Sequence, residues 1–232
     1  MLAIFLLLSV VMLFVWLMKY QKKLGIKWQE AGVLSICHII VGLMCAKFWA
    51  LLEVGFRLEE AAPLRLYGPV FIMPVLYYLY AKFTNRNLPL MMDVITINII
   101  IGLVGGRLNC FYAGCCTGAL ILPNGTMRWP LRELEMAFYI IFAACYCGKI
   151  LRNRTRGEVF SVYLMCYGAL RFVCEFAREE YTGSVGFVHF AHIWSLIAIA
   201  VGAVMYIKTR RNNQFGGDRR KKSQSNRLAK GG

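Results

Sequence analysis

MLAIFLLLSVVMLFVWLM, residues 1–18, contains no Asp, Glu, Lys or Arg. A helix that crosses a bilayer needs about 20 mostly apolar residues, so this run is long enough to span. No basic residue precedes it and no small-residue cleavage site follows it, which favours a retained helix over a cleaved signal. Working outward, six more runs lack these charged residues: 31–46, 66–81, 94–106, 136–148, 159–170 and 187–207. The last spans unaided. The others reach the required length by taking in flanks such as Lys47, Asp93, Arg107, Glu135, Arg171 and Glu175. The pattern predicts an all-α, polytopic membrane protein of seven transmembrane helices, with 48–56 (FWALLEVGF) suited to a short interfacial segment. No internal repeat and no soluble domain interrupt it.

Composition agrees. Of 232 residues, 59% are hydrophobic and 17% charged, against about 45–50% and about 25% in soluble domains. Disorder, a collagen-like repeat and a small disulfide-stapled secreted domain are excluded. The formal charge of +15 comes from 27 basic and 12 acidic residues, and the spans sort it. With the N-terminus outside, the inner side holds 19 basic residues and four acids, and the outer side holds eight of each. Cytoplasmic loops are enriched in Lys and Arg, so the expected orientation is N-terminus outside and C-terminus cytoplasmic. The division expected is a membrane unit, 1–207, and a basic cytoplasmic tail, 208–232, disordered by composition. DRRKKSQSNR in that tail has the charge to bind nucleic acid or anionic lipid. It lacks aromatics to stack on bases, and a solvated topology anchor is the simpler reading; no nucleic-acid partner is expected.

Threading the spans gathers polar groups at the outer ends. Tyr67 and Gly68 open the third span, Arg107 closes the fourth and Glu135 opens the fifth. Arg171, Glu175 and Arg178 end the sixth, while His189 and His192 begin the seventh. Asp93 is the main exception, at the inner end of the fourth. Tyr167, Arg171, Glu175 and Arg178 are spaced four, four and three apart, which stacks them on one helix face. Charges at membrane depth are costly and usually face a cavity or a partner. These therefore suit either a polar pocket or a structural Arg171–Glu175 pair joining two helices.

GGRLNCFYAGCCTG, residues 105–118, is the most unusual stretch. Gly105, Gly106, Gly114 and Gly118, with Gly102 just before, either let the backbone approach a ligand or pack helices closely. Arg107 has the fork to grip a phosphate with two parallel hydrogen bonds, so the segment reads as an anionic head-group site. Cys110, Cys115 and Cys116 are open to several roles: packing or pocket lining, a disulfide, or a thiol activated by Arg107. The spacing C-x4-C-C lacks the second ligand pair of a usual zinc site, so no metal is expected, and no cofactor.

At these residues the chain resembles the bacterial prolipoprotein diacylglyceryl transferases. GGRLNCFYAGCCTG resembles the family's signature segment, with Arg107, Phe111, Gly114 and Gly118 on matching positions. YGALRFVCEFAREE, residues 167–180, is similar to a family segment Y-G-x-x-R-F-x-x-E-F-x-R, matching at Tyr167, Arg171, Phe172, Glu175, Phe176 and Arg178. Trp129, Pro130 and Glu135 match a third segment in part, and HIWSL from His192 stands where the family has Q-I-x-S-L. The likeness runs from about Leu66 to Leu196, and the expected topology agrees with it. The departures are Tyr67-Gly68-Pro69 in place of His-Gly-Gly, Cys110 in place of an Asn and Cys115 in place of a Glu.

The resemblance implies transfer of the diacylglyceryl group of phosphatidylglycerol to a cysteine thiol in a prolipoprotein signal peptide. The reaction would occur at the outer face of the bacterial plasma membrane, releasing glycerol 1-phosphate. Arg107 and Arg171 would stabilise the charge that grows on the leaving phosphate, and Glu175 would orient Arg171. Tyr67, a poor base with a pKa of about 10, would donate a hydrogen bond to the phosphate. Gly68, Cys110, Gly114, Cys115, Gly118, Glu135, Tyr167 and Arg178 would line the substrate site. The other classes are a lipid-handling transferase with a different acceptor, an outer-face thiol redox protein using Cys110, Cys115 and Cys116, and a transporter. A transporter is expected to place its polar groups near the midplane, and these sit at one end.

Overall fold

A computed structural model describes residues 2–53, 55–57, 67–122, 124–152, 157–178, 184–185 and 188–230. The elements in chain order are α1 (Leu2–Lys19), α2 (Gln21–Leu24), α3 (Trp28–Glu53), α4 (Tyr67–Phe83), α5 (Leu88–Ala113), α6 (Leu131–Leu151), α7 (Val159–Phe176), β1 (Ser184–Val185), β2 (Val188–His189) and α8 (Phe190–Lys230). Among the described residues the regular elements are helices apart from the β1–β2 ribbon, which is antiparallel with Ser184 opposite His189. The seven uncharged runs fall on α1 and on α3 to α8. Among the described residues, four helices are long and apolar enough to cross a membrane: Trp28–Leu52, Leu88–Ala113, Val159–Phe176 and Ala191–Asn213. α1 supplies a shorter apolar stretch, Ile4–Lys19. α8 stays helical through the basic tail to Lys230, where composition alone leads one to expect disorder.

α5 is the axis of the bundle, packed against α1, α4, α6 and α7. Every residue from Leu90 to Ile100 is buried, as a mostly apolar helix surrounded by neighbours requires, with Asp93 the one charged residue in that stretch. Its start is fixed by Asn87, whose side chain accepts from the Leu90 amide at 3.3 Å, with a proline in the first turn. Its end is fixed by Gly114 in the left-handed region, φ 68°. The outer helices turn apolar side chains outward, among them Ile4, Leu7, Val11 and Val15 on α1 and Val201, Val204 and Ile207 on α8. An apolar exterior of this extent suits lipid.

Two contacts set how the helices meet. A side chain at Gly68 would strike the backbone carbonyl of Cys45, so glycine there lets α4 lie directly against α3. Asp93, fully buried on α5, accepts the amides of Gly157 at 2.9 Å, Val159 at 2.9 Å and Phe160 at 3.4 Å. Val159 and Phe160 supply orphan donors of the first turn of α7, and Gly157 lies just before it. Asp93 thus caps a helix other than its own, which accounts for the acid at the end of the bundle remote from the other charges. Between α3 and α4 lies an apolar cavity of about 130 Å³, where His38 Nδ1 and Tyr77 Oη are 2.9 Å apart.

Candidate active site

Three arginines and two glutamates meet at the ends of α5, α6 and α7, and all are nearly buried. Glu135, in the first turns of α6, is their hub, with a side chain 1% exposed. Its Oε1 accepts from Arg171 Nη1 at 2.9 Å and from Arg178 Nη2 at 3.1 Å, and its Oε2 meets Arg107 Nε. Glu175 Oε2 closes a ring, accepting from Arg171 Nη2 at 3.2 Å and from Arg178 Nε at 3.1 Å. The cluster keeps one surplus positive charge over its two carboxylates. Arg107 commits only Nε, and among the described residues neither of its terminal nitrogens has a hydrogen-bond partner.

Aromatic side chains form the floor of the cluster. Tyr167, one turn before Arg171, stacks on Tyr139, one turn after Glu135, at 6.5 Å, and Tyr163 packs on Tyr167 at 5.8 Å. Tyr139 and Tyr163 are buried contributors that carry no motif, so the spacing of charges did not reveal them.

The connection after α5 folds back over the site. Gly118 and Arg178 form an antiparallel bridge, as do Leu120 and Arg128. The Ala119 amide reaches the Ala177 carbonyl at 2.7 Å, and the Gly118 amide reaches the Trp129 carbonyl at 3.1 Å. A Cβ on Gly118 would come 2.4 Å from Trp129 Cβ, so only glycine fits where these three segments cross. The bridge holds Arg178 beside Glu135.

The thiols share this end. Cys110 sits in the last turn of α5, and the left-handed Gly114 and Cys116, φ 58°, turn the chain back toward it. The sulfurs of Cys110, Cys115 and Cys116 lie within 4.8 Å of one another. All nine cysteines are free thiols. A hydrogen bond from the Cys110 thiol, helped by the fields of Arg107 and Arg178, pushes the Cys116 thiol below its ordinary range. Arg132 Nη1 donates to the Cys110 carbonyl at 3.3 Å and the Cys115 carbonyl at 3.1 Å, and its guanidinium lies over Phe111.

Of the residues expected from sequence, Arg107, Glu135, Tyr167, Arg171, Glu175 and Arg178 come together, with Cys110, Cys115 and Gly118 beside them. Gly68 is accounted for by the α3–α4 contact and Gly114 by the cap of α5. Tyr67 opens α4, but its side chain lies outside the described residues, as does that of His189. His192 is buried against Phe172 and Phe176 at ring separations of 5.0 and 4.5 Å. Cys116, expected with Cys110 and Cys115, completes the thiol loop; sequence reasoning missed Arg132, whose only signal was its place after that loop.

An apolar helical bundle that buries an arginine-rich ring at one end has the character of a multi-pass membrane protein. The description of the family "Prolipoprotein diacylglyceryl transferase" matches residues 2–208, and the chain belongs to that family of transferases. It is similar to the phosphatidylglycerol–prolipoprotein diacylglyceryl transferase of Clostridium tetani, with 25% identity over 209 residues, covering 81% of this chain and 84% of that protein. The enzyme of the same name from Dehalococcoides mccartyi is 23% identical over 222 residues, covering 86% and 85%. That from Campylobacter lari is 28% identical over 161 residues, covering 63% and 59%.

Proposed function

We propose that the protein transfers the diacylglyceryl group of phosphatidylglycerol to the lipobox cysteine of prolipoprotein signal peptides, releasing glycerol 1-phosphate. The observation that carries this reading is Arg107. Its Nε is held by Glu135, and its two terminal nitrogens are left to donate in parallel to a phosphate. Arg171 and Arg178 are already neutralised by two glutamates, so the ring presents one unspent positive charge where the leaving phosphate would build its own. Fixed donors in a water-poor site need no reorganisation as that charge develops. Glu135 and Glu175 orient the guanidiniums, and Tyr167 supports Arg171 from below.

In this reading the protein spans the bacterial plasma membrane seven times, N-terminus outside and C-terminus cytoplasmic, with the site facing outward. Residues 1–207 form the membrane unit, and 208–232 form a basic tail that anchors the topology. Tyr67 donates to the lipid phosphate. Gly68 seats α4 against α3, Gly114 and Gly118 shape the connection after α5, and Cys110 and Cys115 face the acceptor. The test is direct. The purified protein is incubated with phosphatidylglycerol and a lipobox peptide, and the peptide is weighed for the added diacylglyceryl group. Transfer that Arg107→Ala abolishes supports the reading, and a wild-type protein with no transfer to any lipobox peptide sinks it.

A further inference from the structure

Three thiols with sulfurs within 4.8 Å of one another are a ligand set in all but the ion. Zinc binds thiolate sulfur at about 2.3 Å in tetrahedral geometry, which sets neighbouring sulfurs about 3.8 Å apart. The difference to be closed on binding is at most about 1 Å per sulfur pair. The backbone is already shaped for the purpose. Gly114 and Cys116 both adopt positive φ, and the Cys115 amide bonds the Cys110 carbonyl at 3.2 Å. A non-glycine residue in that conformation stores strain that its surroundings must hold in place. Arg132 does so, clamping the carbonyls of Cys110 and Cys115 together. A dication on three thiolates carries a net charge of −1, and the Arg132 guanidinium offsets it. Cys115 is exposed and its two companions partly so, which leaves one side of the cluster open to a fourth ligand.

We propose that Cys110, Cys115 and Cys116 bind a thiophilic divalent cation, zinc by ligand type, and that the acceptor cysteine enters as its fourth ligand. The role of the acceptor rests on the diacylglyceryl-transfer reading; the cation site itself does not. A neutral Tyr67 is a poor base, so the acceptor thiolate needs another source, and metal coordination deprotonates a thiol outright. The proton passes to solvent. The bound sulfur attacks the glycerol carbon, the new S–C bond forms and the C–O bond to phosphate breaks. The leaving oxygen keeps the electron pair and is met by Arg107, one turn before Cys110 on α5. The product thioether is neutral and a weaker ligand, so it departs, and the metal keeps its oxidation state.

The experiment loads the full-length protein, reduced and in detergent, with Co²⁺ or Zn²⁺. Metal per chain is counted, the cobalt–thiolate charge-transfer band is recorded, and protection of the thiols from alkylation is followed. One ion per chain, a thiolate band and protected thiols are expected. All three should vanish in Cys115→Ser/Cys116→Ser and persist in Cys145→Ser, whose thiol is exposed on α6. Alkylation protection in the wild type needs no variant, so misfolding of the double variant leaves the test intact. No stoichiometric binding by free thiols, or a band retained in the double variant, overturns the site. So does a disulfide among the three in protein taken from membranes without reductant. Transfer at an undiminished rate in metal-free protein overturns the acceptor role and leaves the transferase reading standing. Bound metal without transfer from any preparation overturns the transferase reading and leaves the cation site.

Discussion

Arg171 Nη1 donates to Glu135 Oε1 at 2.9 Å between α7 and α6, while its Nη2 reaches Glu175 at 3.2 Å on its own helix. The inter-helix contact makes Glu135 the centre of the site, because Arg107 and Arg178 converge on the same carboxylate. Breaking a buried ion pair by removing one partner costs about 3–5 kcal/mol, since the other charge is left uncompensated. Glu135→Gln leaves Arg107 without a carboxylate and Arg171 and Arg178 sharing Glu175, and is expected to destabilise the protein by about that amount, seen as earlier thermal unfolding in detergent. Glu175→Gln leaves all three arginines on Glu135 and should cost less. Equal unfolding temperatures for wild type and Glu135→Gln would remove Glu135 from the centre.

Arg107 is expected to act mainly on chemistry. Lysine keeps its charge but presents a point donor in place of a planar fork. Arg107→Lys should fold, retain most peptide affinity and lose transfer by about 10²–10³-fold, the scale of losing a preorganised donor to developing negative charge. Steady-state kinetics on phosphatidylglycerol and peptide separate kcat from KM. A rise in peptide KM with kcat unchanged would place Arg107 elsewhere in the cycle.

Tyr67→Phe deletes one hydroxyl and little volume. If the phenol donates to the lipid phosphate, transfer should fall about tenfold or more, as befits a hydrogen bond to a charged group worth about 1.5–3 kcal/mol. Unchanged turnover with phosphatidylglycerol would end that role.

The sequence made the helices legible because lipid tolerates so few charges: runs such as 94–106 and 159–170 mark α5 and α7 directly. It also grouped Arg171, Glu175 and Arg178, since helical spacing fixes which residues share a face. It could not pair Arg171 with Glu135, because spacing on one helix says nothing about what a neighbouring helix presents. The thiols show the same boundary. C-x4-C-C fits no usual ligand spacing, and only two successive left-handed turns bring Cys115 and Cys116 back to Cys110. Gly118 was ambiguous between ligand approach and packing, and Gly68 was expected to line the substrate site; the atoms their side chains would strike, Trp129 Cβ and Cys45 O, point to packing at both.

Gly118 therefore carries a specific expectation. A methyl group there would force Trp129 away from the crossing that pins Arg178. Overpacking of this kind costs about 1–3 kcal/mol. Gly118→Ala should lose transfer while the helices stay intact by circular dichroism, and a second change, Trp129→Ala, should restore part of it. Full activity in Gly118→Ala alone would show that the crossing yields.

At the far end of the bundle, Asp93 caps α7 through the amides of Gly157, Val159 and Phe160. Asp93→Ala removes the carboxylate that accepts from those amides, at a cost of about 1–3 kcal/mol for each buried group left unsatisfied. Asn keeps one oxygen acceptor, so Asp93→Asn should be milder. Amide exchange localises the effect, with faster exchange at 157–160 and little change around Arg107 and Glu135. Because the cap sets where α7 begins, and Arg171 lies farther along the same helix, transfer should fall only as far as α7 frays. Exchange at 157–160 as slow in Asp93→Ala as in the wild type would show that the start of α7 is held by something other than this carboxylate.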